Sequence, residues 1–139
     1  MNIKLSEISA SLTRINFILC EDKSKTYHVE SDAAYSFYYP ENGVHNNYCV
    51  RLMADMVKYH ADKKIVIHTF NDVFINWLGR WIEEGVLPKE DVKIFIINGE
   101  EAQISTFDNT GVLTDWPYGW FMADCDINYF KNVNYLKKE

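Results

Sequence analysis

Apolar and polar positions along this chain follow two periods, one helical and one of strands. From residue 46, "NNYCVRLMADMVKYHADKK" places Tyr48, Leu52, Met56 and Tyr59 at helical steps, with Val50, Met53 and Val57 widening the stripe. That spacing predicts an amphipathic helix ending near Lys63 and Lys64, cations suited to a helix C-terminus. "IVIHTF" follows as a buried strand over 65–69, rich in β-branched residues. Asn71 and Asp72 can cap a second helix, whose apolar face is Val73, Phe74, Trp77, Leu78, Trp81 and Ile82 and whose stop is Gly85. "DVKIFIIN" and "AQISTFD" then read as two strands joined across Asn98-Gly99-Glu100-Glu101.

On the N-terminal side, Leu5, Ile8, Leu12 and Ile15 recur at helical spacing and predict a short helix, although Ser and Thr interrupt it. "INFILCEDKSKTYHVES" reads as a hairpin about a polar turn at 21–25. "AYSFYYPENGVH" holds an aromatic strand over 35–39 that breaks off at Pro40-Glu41-Asn42-Gly43. The segment "NTGVLTDWPYGWF" is turn-rich, and 126–135 suits a last short helix. Strands alternating with helices imply right-handed crossovers. The expected fold is α/β, a mostly parallel central sheet flanked by helices, with an N-terminal hairpin and an antiparallel addition at the sheet edge.

A chain of 139 residues is about one domain, and no linker or repeat divides it. Within it, 1–34 form the N-terminal helix and hairpin and 123–139 a tail. With 20 acidic against 14 basic residues the net charge is -6, and no phosphate-neutralising face is visible, so direct nucleic-acid binding is not expected. The charge is also too mild for a nucleic-acid mimic, and Glu83, Glu84, Glu90 and Asp91 read as a solvated corner. No secretory signal or membrane-length apolar run is present, which points to a cytoplasmic protein with no membrane role. Cys20, Cys49 and Cys125 are odd in number and widely spaced, as buried free thiols are. His28, His45, His60 and His68 lack paired metal-ligand spacing.

Three separated stretches resemble one family. "YSFYYPENGVH", "LGRWIEEGVLPKEDVKIFIIN" and "TDWPYGWF" arrive in the order and spacing of the C-terminal half of an ABC-type ATPase head, in the group related to the overcoming-lysogenization-defect and SMC-like ATPases. The resemblance covers roughly 35–122. It implies two acidic residues at the first strand end, followed by Pro-Glu-Asn and a histidine. This chain keeps Pro40, Glu41, Asn42 and His45 but carries Tyr38 and Tyr39 at the acidic pair. At the next strand end it keeps Thr69, has Phe70 where the family's switch histidine stands, and His68 at the acidic position.

What the chain lacks decides the expected chemistry. No glycine is followed by lysine, so the phosphate loop ending in Gly-Lys-Ser/Thr is missing. Hydrolysis needs one strand-end carboxylate on Mg²⁺ and a neighbour orienting water; a neutral phenol does neither. Tyr38, Tyr39, Glu41, His68 and Phe70 are therefore vestigial nucleotide-site positions, with no catalytic residue, cofactor or metal expected. Two phenols also cover a sheet edge at lower cost than two desolvated carboxylates.

The resemblance and its losses imply a non-catalytic interaction or regulatory protein that binds a partner protein or forms a homo-oligomer. The implied partner is an ATPase, with this chain as accessory subunit or inhibitor in an anti-phage defence system. The candidate interface is Trp116, Tyr118, Trp120 and Phe121, a cluster that either closes the core or anchors a partner. Trp77 and Trp81 pose the same choice. The alternative is a small-ligand or nucleotide-sensing domain without hydrolysis, its pocket lined by Tyr38, Tyr39, His68 and Asn71. A rebuilt enzyme would need His68, Asp72 and Glu41 within hydrogen-bond reach.

Overall fold

The structure, a computed structural model, describes residues 1–20, 34–40, 42–43, 46–59, 63–69 and 72–115. Its strands are β1 (Asn2–Lys4), β2 (Ile15–Cys20), β3 (Ala34–Tyr38), β4 (Lys64–His68), β5 (Val92–Asn98), β6 (Glu101–Phe107) and β7 (Leu113–Thr114), with helices α1 (Asn46–Tyr59) and α2 (Asp72–Glu83). All seven strands form one sheet in the order β1-β6-β5-β2-β4-β3, with β7 beside β6. The four strands β3, β4, β2 and β5 run parallel, and β6, β1 and β7 add on antiparallel. This is the α/β architecture expected, with its antiparallel addition at one edge. No helix among the described residues is long and apolar enough to cross a membrane.

The N-terminal third departs from expectation in two ways. Ile15–Cys20 is not the arm of a peripheral hairpin but the centre of the sheet, with Ile15 in register with Ile65 of β4 on one side and Val92 of β5 on the other. All six of its residues are buried, as a strand covered on both faces requires. Local β propensity around a polar turn does not separate these cases, and the second arm expected at 26–31 lies outside the described residues. The predicted N-terminal helix resolves into β1 and two short 3₁₀ turns, Leu5–Glu7 and Ser9–Ser11. Side chains bond the local backbone there: the Ser11 hydroxyl donates to the Glu7 carbonyl at 3.0 Å, as short polar side chains do in competition with a helix, and Glu7 Oε1 caps the first turn by accepting the Lys4 amide at 3.1 Å. Ile8 and Leu12 are buried all the same.

Both described helices lie on one face. The steps from β3 to β4 and from β4 past β2 to β5 cross the sheet in the same direction, so right-handed connections place α1 and α2 together. Cys49, Met53 and Met56 of α1 and Phe74, Leu78 and Ile82 of α2 pack on Phe17, Leu19, Ile67 and Ile94. The other face, Ile18, Cys20, Val66, Phe95, Ile97 and Ile104, is covered by Ile8 and Leu12 of the N-terminal segment.

Polar groups fix this segment to the centre. Asn16, fully buried, accepts the Thr13 amide at 2.8 Å and donates to the carbonyls of Thr13 at 2.7 Å and Ile65 at 2.9 Å. Each such bond nets about 1 kcal/mol, and losing the side chain strands its buried partners at about 1–3 kcal/mol. Arg14 bridges to Asp91 at 3.0 Å and Arg80 to Glu84 at 3.4 Å, partly exposed pairs of small value.

The end of β6 is held against α2 by a backbone contact that only glycine permits. A Cβ on Gly111 would lie 2.0 Å from the Gly79 carbonyl oxygen, and Gly111 has φ +78°. The turn itself is organised by Asp108, whose carboxylate accepts the Thr110 hydroxyl at 2.6 Å and the amides of Thr110 and Val112 at 2.8 and 3.0 Å. Beyond it, Ser105 and Gln103 donate to the carbonyls of Thr114 and Asp115.

Two outcomes are expected. Gly85 shares the left-handed backbone, φ +77°, but has nothing within 4 Å of the place a Cβ would occupy, so Gly85→Ala carries only conformational strain of about 1–2 kcal/mol. Gly111→Ala adds overpacking of about 1–3 kcal/mol, and urea unfolding midpoints should fall further for Gly111→Ala; equal losses would contradict the contact. The Thr110 hydroxyl, then the Val112 amide, hold the Asp108 carboxyl below its ordinary value of 3.8. A depressed folded value means its contribution is present above that pH and is lost as pH falls through the lowered one. The melting-temperature gap between the native chain and Asp108→Ala should therefore be widest near neutrality and narrow in acid.

Candidate functional site

The four parallel strands end together. Cys20, Tyr38, His68 and Asn98 are the last residues of β2, β3, β4 and β5. From β2 the chain passes β4 to reach β3, whereas from β4 it passes β2 to reach β5. Neighbouring ends whose connections leave in opposite directions define the switch point at which open α/β sheets bind ligands. Cys20, His68 and Thr69 stand there, and the Thr69 amide donates to the Ile18 carbonyl at 3.3 Å. The first parallel strand sits between the third and fourth, not beside the second as in the dinucleotide-binding and flavodoxin-like orders.

Register brings two of the sequence-predicted residues together. Tyr38 and His68 are direct partners on β3 and β4. In-register side chains on adjacent parallel strands start about 4.8 Å apart, which suits flat rings lying face to face. Their ring centroids are 4.3 Å apart with planes 16° from parallel, an arrangement worth about 0.5–1.5 kcal/mol beyond area burial. His68 is 2% exposed and Tyr38 is 42% exposed, so the phenol roofs the imidazole and presents its own ring to the edge.

Tyr39 does not continue the strand as the reading of 35–39 expected. It takes φ 50°, a left-handed conformation uncommon for an aromatic residue. Its amide donates to the His68 carbonyl at 2.7 Å and its carbonyl accepts the Asn42 amide at 3.0 Å. The strand therefore closes on β4 with one last backbone bond and turns away. Tyr38 and Tyr39 are thus not paired phenols on one strand: one is a strand side chain and the other a corner.

Glu41, Phe70, Asn71 and His45 lie outside the described residues, as do Trp116, Tyr118, Trp120 and Phe121, so the proposed aromatic anchor is not placed. Asp72 opens α2. Cys49 is fully buried against the sheet, a packed thiol. Trp77 and Trp81 are partly buried and pack against the helix-side core, with the Arg80 guanidinium 5.4 Å from the Trp77 ring centroid. Among the described residues no three His, Cys, Asp or Glu side chains converge as a metal site.

One exposed aromatic residue escaped the sequence reading. Tyr48, assigned to the buried stripe of α1, is 63% exposed in its first turn, at the end of the sheet where β3 delivers the chain. The buried row is Cys49, Met53 and Met56, set one position on from the expected row at its start. Starting the helical row at Cys49, already expected to be a buried thiol, would have shown this, since its steps of four and three to Met53 and Met56 are as regular as those of the tyrosine series.

The stack has a direct test. Tyr38→Phe should keep the ring-current shift of the His68 imidazole protons in NMR spectra, and Tyr38→Ala should abolish it while the β2 amide resonances stay in place. Unchanged imidazole shifts in Tyr38→Ala would contradict the stack. Comparison with family models, curated proteins and solved structures finds no match to this chain.

Proposed function

We propose that this chain is a non-catalytic interaction protein, related to the C-terminal half of an ABC-type ATPase head, that presents the C-terminal edge of its parallel strands to a partner protein. The observation that carries the reading is the Tyr38–His68 stack. Phosphoryl transfer requires a strand-end carboxylate on Mg²⁺ and a group that orients water. At those two strand ends this chain has a phenol lying on a buried imidazole. A phenol is a poor ligand for a hard cation.

Half-exposed Tyr38 and exposed Tyr48 supply the groups that dominate binding hot spots, rigid amphipathic rings of low conformational entropy. The partner is an ATPase of the resembled group, with this chain as accessory subunit or inhibitor in an anti-phage system, or a second copy of this chain. A second reading is favoured by the switch-point topology: a planar ligand such as a nucleoside, bound at the β2 and β4 ends without hydrolysis.

Calorimetry separates these readings. Titration with ATP and Mg²⁺ should give no millimolar-or-tighter isotherm and no phosphate release. Turnover would overturn the non-catalytic reading, and saturable heat without turnover would select the sensing one. In a complex with such an ATPase, or in self-association followed by sedimentation, Tyr48→Ala should weaken binding at least tenfold, about 1.4 kcal/mol, with its unfolding midpoint unchanged. Full affinity in both Tyr48→Ala and Tyr38→Ala would remove this edge from the interface.

A further inference from the structure

Two Asn-Gly pairs occur among the described residues, Asn42-Gly43 and Asn98-Gly99, and the fold treats them differently. Both asparagines are exposed. An asparagine followed by glycine is open to attack on its own side chain, because glycine has no Cβ to shield the following amide nitrogen. That nitrogen, on losing its proton, bonds to the side-chain carbonyl carbon. The carbon–nitrogen bond of the carboxamide breaks and ammonia leaves, forming a five-membered succinimide. Water then opens the ring at either carbonyl, giving aspartate or isoaspartate.

Asn98 is poorly placed for this reaction. It is the last residue of β5, in register with Glu101 of β6 across a tight turn, and the Glu100 carbonyl of that turn accepts the Leu5 amide at 3.4 Å. An extended strand residue has ψ near about +135°, which turns the following nitrogen away from its own side chain. Swinging it back would open the end of the β5–β6 ladder. Asn42 stands outside the ladder, in the turn that follows β3. Gly43 and Gly99 are alike, both exposed, with φ +76° and +65° and no atom within 4 Å of the position a Cβ would take, so the difference between the two sites lies in the ladder that holds Asn98.

We infer that Asn42 is a site of spontaneous deamidation, favoured by the fold over Asn98, and that it places a new carboxylate beside the Tyr38–Tyr39 corner. The formal net charge would move from -6 to -7, one carboxylate replacing one neutral amide. In the isoaspartate product an extra methylene enters the backbone at the residue whose amide bonds the Tyr39 carbonyl. This chemistry is independent of whether the edge binds a partner.

The test is peptide mapping by mass spectrometry of the intact, folded chain incubated in mildly alkaline buffer below its melting temperature. Acid and isoaspartate should accumulate at residue 42 ahead of residue 98, with ammonia released in step and a one-charge acidic shift on isoelectric focusing. Asn42→Gln, which leaves Gly43 and its backbone in place, should abolish the residue 42 product without changing residue 98. In denaturing urea the two rates should converge. Conversion at 98 equal to or faster than at 42 in the folded chain, conversion at neither, or a gap that persists in urea would each overturn the inference.

Discussion

Ile15–Cys20 is buried on both faces and paired along both edges, and the placement of the other described elements follows from that. A strand in that position needs apolar cover above and below, and the chain supplies it unequally. Two amphipathic helices cover one side, and the turns around Ile8 and Leu12 cover the other. Asn16 interrupts the apolar run only because its amide is satisfied by Thr13 and Ile65, which ties the entering segment to the neighbouring strand. Since β4 and β5 take the two flanks of β2, and β6 takes the outer edge of β5, β3 joins the parallel group beyond β4.

From this order the chemistry of the strand ends follows. Pairing β3 with β4 in register sets Tyr38 beside His68, and side chains that share a row on parallel strands either repel or stack. Two carboxylates in such a row would need a cation and a water shell to offset their desolvation. A phenol over an imidazole needs neither, since both rings are flat and both bury apolar surface. The left-handed turn at Tyr39 then takes the chain out of the sheet, so only one tyrosine belongs to the stack.

Much of the sheet was legible in the sequence because strands such as "KIFII" and "IVIH" have few alternatives, and the turn at Asn98-Gly99 announces its hairpin. The helices were legible from their stripes, though Tyr48 was placed inside when the true row begins at Cys49. What stayed hidden depends on contacts far apart in sequence. Ile15–Cys20 reads like any apolar strand beside a polar turn, and only its two distant partners reveal it as the centre. The Tyr38–His68 pairing requires the register of β3 against β4, thirty residues apart, which no local pattern encodes. The Gly79–Gly111 approach is of the same kind, visible only once α2 lies against the end of β6.

The most direct test of this account is amide hydrogen exchange followed residue by residue by NMR. With β2 at the centre, the amides of Phe17, Ile18 and Leu19 should exchange only through global unfolding and rank among the slowest in the chain, slower than those of β1 and β7 at the outer edge of β6. Exchange of the β2 amides at the rate of those outer strands would contradict a central strand paired on both sides, and with it the strand-end arrangement built upon it.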